Sequence, residues 1–551
     1  MLHHQHIAEL GPLLEKLDVR HVIISPGSRN APLTQLFTAC NSFECHSIVD
    51  ERSAGYVALG MARQLRQPVV VVTTSGTAVL NLAPAVAEAF YQQVPLAILT
   101  ADRPPETISQ FDNQAIDQMA PFYNHSRGFY EFPLELRSEY ELQQALTAAE
   151  QLIHAAISHP GGPVHINLPL DEPLYEKLPG PLLSGKGQAP EHGQPDLDPP
   201  DLDSNELNSL AVESWSASQK ILLLAGMGVW DDELRSLMEE LTRTKQLVTV
   251  AENIVNIPSD QVIANPELIL GSATEAERKE LAPDLVIAFG GQVVSKRLKL
   301  FTQSIKGMKT RVIEGDPRAI LNELATAGGE AGKVVENGFL KEWKRIGRRG
   351  LDRLSEYLDR VSFCNLTAVR DILSFMPAQA VVHLGNSATI RYSQLMPVRF
   401  DLTYFSNRGT SGIDGCVSAA VGAALVSDQL HVLLVGDLSF VYDSNALWNQ
   451  KFPSNLKIIV LNDGGGGIFR LLDGPGQMEF FEEFSVTHHP VSLELLSQSF
   501  GRSYQRAQNK EELIEKLAIL YQPGSSLSIL EVNTSDSENS RIFKEFFNQN
   551  P

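Results

Sequence analysis

Two oxygen-rich turns in the last third of the chain could hold a metal ion. Asp437 follows the apolar run 431–435, and Asp463 follows the apolar run 456–461. Carboxylate and backbone oxygens are the ligands that hard divalent cations prefer, and such a cation can in turn hold a diphosphate. Glycines at 464–467 let the main chain approach phosphate closely because they carry no Cβ. Either turn alone is more often a plain turn, but the pair predicts a diphosphate-containing cofactor bound through Mg²⁺.

A carboxylate suited to acid–base chemistry lies much earlier in the chain. Glu51 follows the short run 47–49 and precedes the small-residue segment 53–62, which predicts a strand-to-helix junction. An acid in the first turn of a helix is commonly there for the helix dipole alone. The small residues after it would allow close packing against another helix, as at a subunit interface.

Several cations lie at predicted strand ends or in loops that contain Gly, Pro and Ser, where they could bind an anionic substrate. Arginine suits this role because its planar guanidinium binds a carboxylate through two parallel hydrogen bonds. For any one arginine a plain surface charge is the commoner case. The candidates are Arg29, Arg103, Lys296, Arg297, Arg391 and Arg408.

Composition describes a packed globular chain without a nucleic-acid or membrane signature. Of 551 residues, 43% are hydrophobic and 20% charged, and the net charge is −21, which disfavours non-specific binding to polyanions. We find no apolar run of about 20 residues and no signal-peptide pattern at the N-terminus. The four cysteines match no zinc or redox motif, so a cytoplasmic location is expected. The histidines at 3, 4 and 6 are expected to be a solvated terminus.

Short apolar runs alternate with amphipathic segments in three blocks, which predicts an α/β fold with three doubly wound domains and mainly parallel sheets. The predicted domains are 1–180, 205–360 and 361–551, with a linker at 181–204. The first and third blocks are similar in size and texture, which suggests two related domains flanking a third. The predicted strands are 21–24, 69–72, 96–99, 164–168, 221–224, 247–250, 285–289, 381–384, 431–435, 456–461 and 527–532.

Glu51 within 49–54, together with the downstream turns at 436–437 and 462–463, resembles the thiamine-diphosphate (ThDP) enzyme superfamily. Its pyrimidine-binding, middle and diphosphate-binding domains follow one another in the order of the three blocks, so the resemblance covers essentially the whole chain. Four further segments, at 24–33, 99–106, 112–116 and 406–415, are similar to the 2-succinyl-5-enolpyruvyl-6-hydroxy-3-cyclohexene-1-carboxylate (SEPHCHC) synthase family of menaquinone or phylloquinone synthesis. That resemblance implies decarboxylation of 2-oxoglutarate and conjugate addition to isochorismate.

The resemblance also implies roles for individual residues. Glu51 would hydrogen-bond the pyrimidine ring and so promote removal of the thiazolium proton, and Ile413 would hold the cofactor bent. Asp437, Asp463 and the carbonyl of Gly465 would bind Mg²⁺, with Mn²⁺ as a substitute and Asn462 as a weaker candidate ligand. Further cofactor contacts would come from Gly436, Leu438, Ser439, Ile468 and Phe469.

Substrate contacts follow from the same resemblance. Ser387, Arg391 and Arg408 would hold the part derived from 2-oxoglutarate. Isochorismate would contact Ser28, Arg29, Arg103, Asn113, Gln114, Lys296 and Arg297. His488 and His489 match no role in the family and are expected to be surface or loop histidines. A homodimer would be the minimum assembly, because in the superfamily the two cofactor-binding domains meet across a subunit interface, and a tetramer is also expected.

Three alternatives remain at this point. One is another ThDP carboligase or decarboxylase acting on a 2-oxo acid, which the number of cations disfavours. A second is a nicotinamide- or flavin-binding oxidoreductase, suggested weakly by the incomplete glycine motif at 225–228. The third is a non-catalytic relative, which retention of Glu51 and both aspartates disfavours.

Overall fold

The structure is a computed structural model that describes residues 4–108, 113–180, 214–215, 217–228, 232–244, 246–313, 317–327, 337–471 and 474–549. It divides into two compact units. The first unit consists of Met1–Pro199, Gly409–Asp428 and Asp443–Pro453, and the second of Pro200–Arg408, Gln429–Tyr442 and Ser454–Pro551. The predicted linker at 181–204 lies outside the described residues, and the predicted domain boundaries stay predictions.

The first unit contains a six-stranded parallel sheet in the order β2-β1-β3-β4-β6-β5. Its inner strands are almost entirely buried, and β3 is a continuous run of valines, as expected of a parallel sheet with both faces covered. The strands are β1 (His21–Ile24), β2 (Glu44–Ser47), β3 (Val69–Thr73), β4 (Leu96–Asp102), β5 (Phe129–Glu131) and β6 (Val164–Pro169). The α-helices are Gln5–Lys16, Ala31–Ala39, Glu51–Leu65, Thr77–Asn81, Ala83–Gln92, Pro105–Ile108, Glu139–Ile157 and Cys416–Leu425.

Two helices of the first unit cross at direct backbone contact. A Cβ added to Gly60 would lie 1.9 Å from the carbonyl oxygen of Ala419, and one added to Gly422 would lie 1.9 Å from that of Val57. The close packing expected of the 53–62 segment is therefore made with the helix Cys416–Leu425.

The second unit contains two parallel sheets. The five-stranded sheet has the order β11-β10-β7-β8-β9 and the six-stranded sheet the order β13-β12-β14-β15-β17-β16. The first of these is built from β7 (Lys220–Ala225), β8 (Gln246–Ala251), β9 (Val262–Ile263), β10 (Leu285–Phe289) and β11 (Lys309–Ile313). The second is built from β12 (Val381–Leu384), β13 (Thr403–Phe405), β14 (His431–Gly436), β15 (Leu456–Asn462), β16 (Tyr504–Ala507) and β17 (Ile529–Asn533).

One hydrophobic core, which includes Leu223, Ile287, Val382 and Leu434, runs through both sheets of the second unit. The α-helices of this unit are Asp232–Thr244, Pro266–Ser272, Glu275–Glu280, Lys296–Ser304, Arg318–Ala327, Gly338–Leu358, Asn365–Phe375, Ala388–Ser393, Asp437–Tyr442, Leu493–Ser499, Lys510–Leu520 and Asp536–Asn548.

The two six-stranded sheets have the same topology. If the strands of each are numbered from one in chain order, both read 2-1-3-4-6-5. The expectation of two related domains is thus met at the level of topology, and the predicted α/β class with three mainly parallel sheets is confirmed. Within the described part of the chain, we find no helix that combines the length and the apolar character needed to cross a bilayer.

One expectation about the N-terminus is wrong. His4 and His6 are only 7% and 6% exposed, and the ring of His6 stacks on Phe132 at a centroid separation of 6.1 Å. These two histidines pack into the first unit because the helix Gln5–Lys16 is itself largely buried.

Candidate active site

Four neighbouring strands of the second unit carry predicted site residues beyond their carboxyl ends. β13 leads to Arg408, β12 to Ser387 and Arg391, β14 to Asp437, and β15 to Asp463. These strands are adjacent and parallel in the order β13-β12-β14-β15, so their carboxyl ends share one edge of the sheet. The chain order reverses between β12 and β14, the position where open α/β sheets bind ligands.

Asp437 is 2% exposed and begins a short helix directly after β14. Its Oδ2 accepts the N–H of Gly464 at 3.0 Å, which ties the two predicted turns together. Both polar atoms of the Asn462 side chain already have partners. Its Nδ2 donates to Glu531 Oε1 at 2.8 Å, and its Oδ1 accepts the Gly464 N–H at 3.0 Å. The side chain of Asn462 is thus engaged within the sheet and the turn, and Asp463 stays the predicted second metal ligand.

The Asp463 carboxylate is close to other acids in a poorly solvated position. Burial, with repulsion from Asp437 and Asp536, raises its pKa to about 7. Its Oδ2 accepts Nδ2 of Asn365 at 2.9 Å and Nδ2 of Asn539 at 3.2 Å. Burial also raises the pKa of Asp437. A divalent cation would remove the repulsion between the two acids.

The glycines around these acids shape the rest of the proposed metal and diphosphate site. Gly464 and Gly465 adopt φ values of 84° and 157°, and a Cβ on Gly465 would lie 2.7 Å from the Val486 carbonyl oxygen. A Cβ on Gly436 would meet no atom within 4 Å, so there is open space beside the end of β14. Two carboxylates, a backbone carbonyl and open space beside glycine fit a hard cation with a diphosphate.

Side chains predicted to contact the cofactor lie on the same turns. Ser439 is buried and Leu438 half-buried on the helix after β14. Ile468 is half-buried and Phe469 is 38% exposed, both in the short helix Gly467–Leu471.

His489 contacts a predicted metal ligand, which the sequence analysis did not anticipate. Its Nε2 lies 3.2 Å from Oδ2 of Asp437, and Nδ1 of the neighbouring His488 lies 2.9 Å from the Gly464 carbonyl oxygen. Both histidines lie in a loop, as expected, and His488 is exposed; the contact of His489 with Asp437 was not anticipated. Little in the sequence indicates these contacts, because both histidines lie more than twenty residues after Asp463.

The arginines after β12 and β13 are held by backbone and amide oxygens. Arg391 donates to the Ser387 carbonyl oxygen at 2.6 Å, and Arg408, which is 8% exposed, donates to Oδ1 of Asn386 at 3.1 Å. Burial lowers the pKa of Arg391. Arg391 is half-buried, and guanidinium groups with this little exposure are suited to binding a carboxylate substrate.

Lys296 and Arg297 begin the helix Lys296–Ser304 in the second unit. Lys296 is exposed, whereas Arg297 pairs with Glu267 at 3.1 Å and lies over the Phe547 ring at 4.3 Å. Glu252 accepts the N–H groups of Val294 and Ser295 just before this helix, at 2.6 and 2.7 Å. Arg297 therefore already has a charged partner, which its predicted substrate role did not anticipate.

Glu51 is the first residue of the helix Glu51–Leu65, as predicted, and is half-buried. Its Oε2 accepts Nδ2 of Asn81 at 3.1 Å. The preceding Asp50 caps the helix by accepting the Ser53 N–H at 3.0 Å. The helix start is thus fixed by Asp50, while Glu51 directs its carboxylate to the amide of Asn81.

The remaining predicted residues of the first unit follow β1 and β4. Ser28 is exposed, while Arg29 is buried and donates to the Leu170 carbonyl oxygen at 3.0 Å. Arg103 is half-buried directly after β4. Asn113 and Gln114 are exposed, and the carbonyl oxygen of Gln114 would lie 3.0 Å from a Cβ on Gly76, beyond the end of β3.

Ile413 stands on an anchored loop of the first unit. Both oxygens of the buried Glu88 hold the start of this loop, accepting the N–H of Gly409 at 2.7 Å and the N–H and hydroxyl of Thr410 at 2.6 Å each. Ile413 itself is 38% exposed. The start of the loop is thus fixed, and the supporting role of Ile413 stays a prediction. Glu88 was missed because nothing in the sequence connects it with position 409.

Matches to known families define the class. The model described as "Thiamine pyrophosphate enzyme, N-terminal TPP binding domain" matches residues 8–120, and the corresponding C-terminal TPP binding domain matches residues 385–532. The fold is thus that of a thiamine pyrophosphate enzyme.

Similar proteins narrow this class to one family. A protein of Desulfotalea psychrophila is 40% identical over 91% of this chain and 93% of its own length. Proteins of Cytophaga hutchinsonii and Flavobacterium johnsoniae are each 35% identical, over 98% and 96% of both chains respectively. All three are named 2-succinyl-5-enolpyruvyl-6-hydroxy-3-cyclohexene-1-carboxylate synthase. The chain belongs to this synthase family.

Proposed function

We propose that this chain decarboxylates 2-oxoglutarate and adds the resulting four-carbon unit to isochorismate, which yields SEPHCHC and CO₂ for menaquinone or phylloquinone synthesis. The observation that carries the proposal is the single sheet edge at which Asp437 and Asp463 lie beside Arg391 and Arg408. Metal-binding acids and anion-binding cations on adjacent strands suit a cofactor diphosphate next to an acidic substrate. The family relationship supports the same reaction.

The proposed cofactor is ThDP with Mg²⁺, for which Mn²⁺ could substitute. When bound, ThDP supplies a carbon nucleophile and an electron sink for the loss of CO₂. Asp437, Asp463 and the Gly465 carbonyl would hold the cation. The remaining cofactor contacts would come from Gly436, Leu438, Ser439, Ile468 and Phe469.

Glu51 and Ile413 would prepare the cofactor. The Glu51 carboxyl group would hydrogen-bond a pyrimidine ring nitrogen and stabilise a proton there, and the Asn81 amide keeps that carboxyl group oriented. Ile413 would support the bent cofactor, because the contacts of Glu88 hold its loop in place.

Cationic residues would orient the two acidic substrates and offset the charge of the protein around them. Ser387, Arg391 and Arg408 would hold the 2-oxoglutarate-derived part. Arg29 and Arg297 already contact Leu170 and Glu267 in the structure, so each would exchange or share a contact on binding substrate. The proposed isochorismate contacts are Ser28, Arg29, Arg103, Asn113, Gln114, Lys296 and Arg297.

The proposed assembly is a homodimer at minimum, with a tetramer expected. By the superfamily relationship, Glu51 of one subunit would serve a cofactor held by the metal site of another. A cytoplasmic location is likewise proposed, from the biosynthetic reaction.

The reaction is tested with purified protein, ThDP, Mg²⁺ and 2-oxoglutarate, by following CO₂ with and without isochorismate. We expect turnover that requires isochorismate and falls by about 10²–10⁴-fold in Glu51→Gln. The exposed Glu139→Gln is a matched control that should keep wild-type activity. Sustained CO₂ release without isochorismate would instead favour a different ThDP carboligase or decarboxylase, and failure to bind ThDP would refute the cofactor assignment.

A further inference from the structure

A second group of side chains that could bind a metal ion lies in the first unit, on the paired strands β1 and β2. His21 is opposite Glu44 and Ile23 is opposite His46 in this parallel pair. Alternate residues of a strand point to the same face, so His21, Glu44 and His46 share one face. One ligand atom from each lies within 4.8 Å of the others.

The two histidines approach different oxygens of the same carboxylate. His46 Nε2 lies 3.3 Å from Glu44 Oε1, and His21 Nδ1 lies 3.7 Å from Glu44 Oε2. A tetrahedral zinc site with bonds of about 2.0–2.1 Å places its ligand atoms about 3.3–3.4 Å apart. The contact of His46 with Glu44 already has this spacing, and the three ligand atoms together lie within 4.8 Å, so the side chains would close slightly around a bound ion.

His46 is buried without hydrogen bonds between its ring nitrogens and any described residue. It is 4% exposed, yet neither of its ring nitrogens, nor Nδ1 of His21, has a hydrogen-bond partner among the described residues. The 3.3 Å contact with Glu44 has the length but not the alignment of a hydrogen bond. Buried nitrogens without partners are costly, and a bound cation would remove that cost. The Glu44 side chain is 54% exposed, which leaves a path from solvent.

We propose that His21, Glu44 and His46 bind a transition-metal dication, with Zn²⁺ preferred, and leave a fourth position open to water. Two imidazole nitrogens and one carboxylate are a ligand set that zinc uses and that Mg²⁺ avoids, since Mg²⁺ prefers oxygen ligands throughout. The site therefore differs in chemistry from the acids at Asp437 and Asp463. It does not depend on the proposed reaction.

The charge state of the histidines suits a metal. Burial, reinforced by Lys451, lowers the pKa of His46 to about 4, and burial lowers that of His21. Neutral imidazole is the form that binds metal. Lys451, whose Nζ lies 3.5 Å from the Cys45 carbonyl oxygen, also opposes a dication by repulsion. Removing this charge should therefore tighten metal binding.

The position of the site indicates what the metal would do. β2 is an edge strand of its sheet, and it ends at Ser47, shortly before the helix that begins with Glu51. A metal shared by β1 and β2 would clamp this edge strand to its neighbour. Its role would be to brace the segment that carries Glu51.

The test uses the full chain saturated with ThDP and Mg²⁺, so that the oxygen-rich site is occupied. Equilibrium dialysis against Zn²⁺, followed by metal analysis, should find one retained zinc per chain. In His46→Gln the affinity should fall by at least about 10-fold, while the exposed His154→Gln should match the wild type. Co²⁺ substitution should give the visible absorption of a four-coordinate complex in the wild type only.

A second variant distinguishes the loss of a metal ligand from misfolding. Glu44→Gln changes a side chain that is largely exposed, and its fold can be checked by circular dichroism; it should also lose the zinc. Lys451→Ala should bind zinc more tightly than the wild type. The proposal is overturned if the wild type retains no zinc, or if folded Glu44→Gln and His46→Gln retain as much as the wild type, which would place the zinc elsewhere, for example at histidines 3, 4 and 6.

Discussion

The imidazole Nε2 of His489 lies 3.2 Å from Oδ2 of Asp437, the oxygen that also accepts the N–H of Gly464. Two donors from separate parts of the second unit thus fix one carboxylate of the proposed metal site. Partners of this kind orient metal ligands, and their loss typically weakens metal binding by 10–100-fold.

Replacing His489 by Gln should therefore raise the Mg²⁺ concentration needed for ThDP binding by about 10-fold or more. The measurement is a Mg²⁺ titration of ThDP binding, followed by the quenching of tryptophan fluorescence. His154→Gln, at an exposed position of the first unit, is the control. An unchanged Mg²⁺ requirement in His489→Gln would show that Gly464 alone suffices to orient Asp437.

Glu88→Gln should loosen the loop that carries Ile413. Glutamine offers one acceptor oxygen, whereas Glu88 uses both of its oxygens to hold Gly409 and Thr410. We expect a stability cost of about 1–3 kcal/mol from the donor left unpaired, with a fall in kcat that exceeds any change in KM. Hydrogen exchange should be faster at the amides of 409 and 410. Wild-type exchange rates at these amides would contradict the assignment, and Glu139→Gln again provides the exposed control.

Asp443→Asn should change how stability depends on pH. Asp443 is fully buried and accepts the N–H and hydroxyl of Ser418 at 2.6 and 2.8 Å. Burial raises its pKa from 3.8 to about 7. Between these pH values the folded protein holds a proton that the unfolded chain releases, so stability falls as pH rises, by at most about 1.4 kcal/mol per pH unit.

Asparagine carries no such proton, and it can keep both contacts if the Ser418 hydroxyl reverses its direction. The variant should therefore gain stability relative to the wild type as pH rises from 4 to 7, and the difference should be constant above pH 7. Thermal unfolding across this pH range measures the difference in stability, and Asp352→Asn, at an exposed position, is the matched control. Parallel curves for the wild type and Asp443→Asn would contradict the prediction.

Gly422→Ala should destabilise the first unit, because its new Cβ would lie 1.9 Å from the Val57 carbonyl oxygen. A backbone atom cannot move aside as a flexible side chain can, so we expect a loss of at least about 1–3 kcal/mol. Gly338→Ala is the helical control, since its Cβ would meet only Gln246 at 3.6 Å. Equal melting temperatures for Gly422→Ala and the wild type would show that the helices separate without cost.

The sequence predicted the interior strands and missed the edge strands. Every interior strand of the three described sheets coincides with a predicted apolar run. The edge strands β5, β9, β11, β13 and β16 were not predicted, and the edge strand β2 (Glu44–Ser47) shares only Ser47 with the predicted run 47–49. Interior strands of parallel sheets are buried on both faces and read as continuous apolar runs. An edge strand such as β2, with the sequence 44–47, is short and partly exposed, so its composition resembles that of a loop.

Some residues of the candidate site were predicted from the sequence and others were missed. Asp437, Asp463 and Glu51 were predicted because each follows or begins a regular element at a recognisable motif. Glu88 and His489 were not, because their roles arise from contacts with residues far away in the sequence. The cluster of His21, Glu44 and His46 was also missed, since it needs the pairing of β1 with residues 44–46 of β2, which lie before the predicted run 47–49.

The crossing at Gly60 and Gly422 has a consequence for how the protein is made. The helix Glu51–Leu65 leaves the ribosome roughly 350 residues before its partner Cys416–Leu425, an interval of about 20–70 s at ordinary synthesis rates. During that time the glycine-bearing face of the first helix has no native cover. The first unit therefore completes its packing only late in translation, and the nascent chain presents a surface that chaperones can recognise in the meantime.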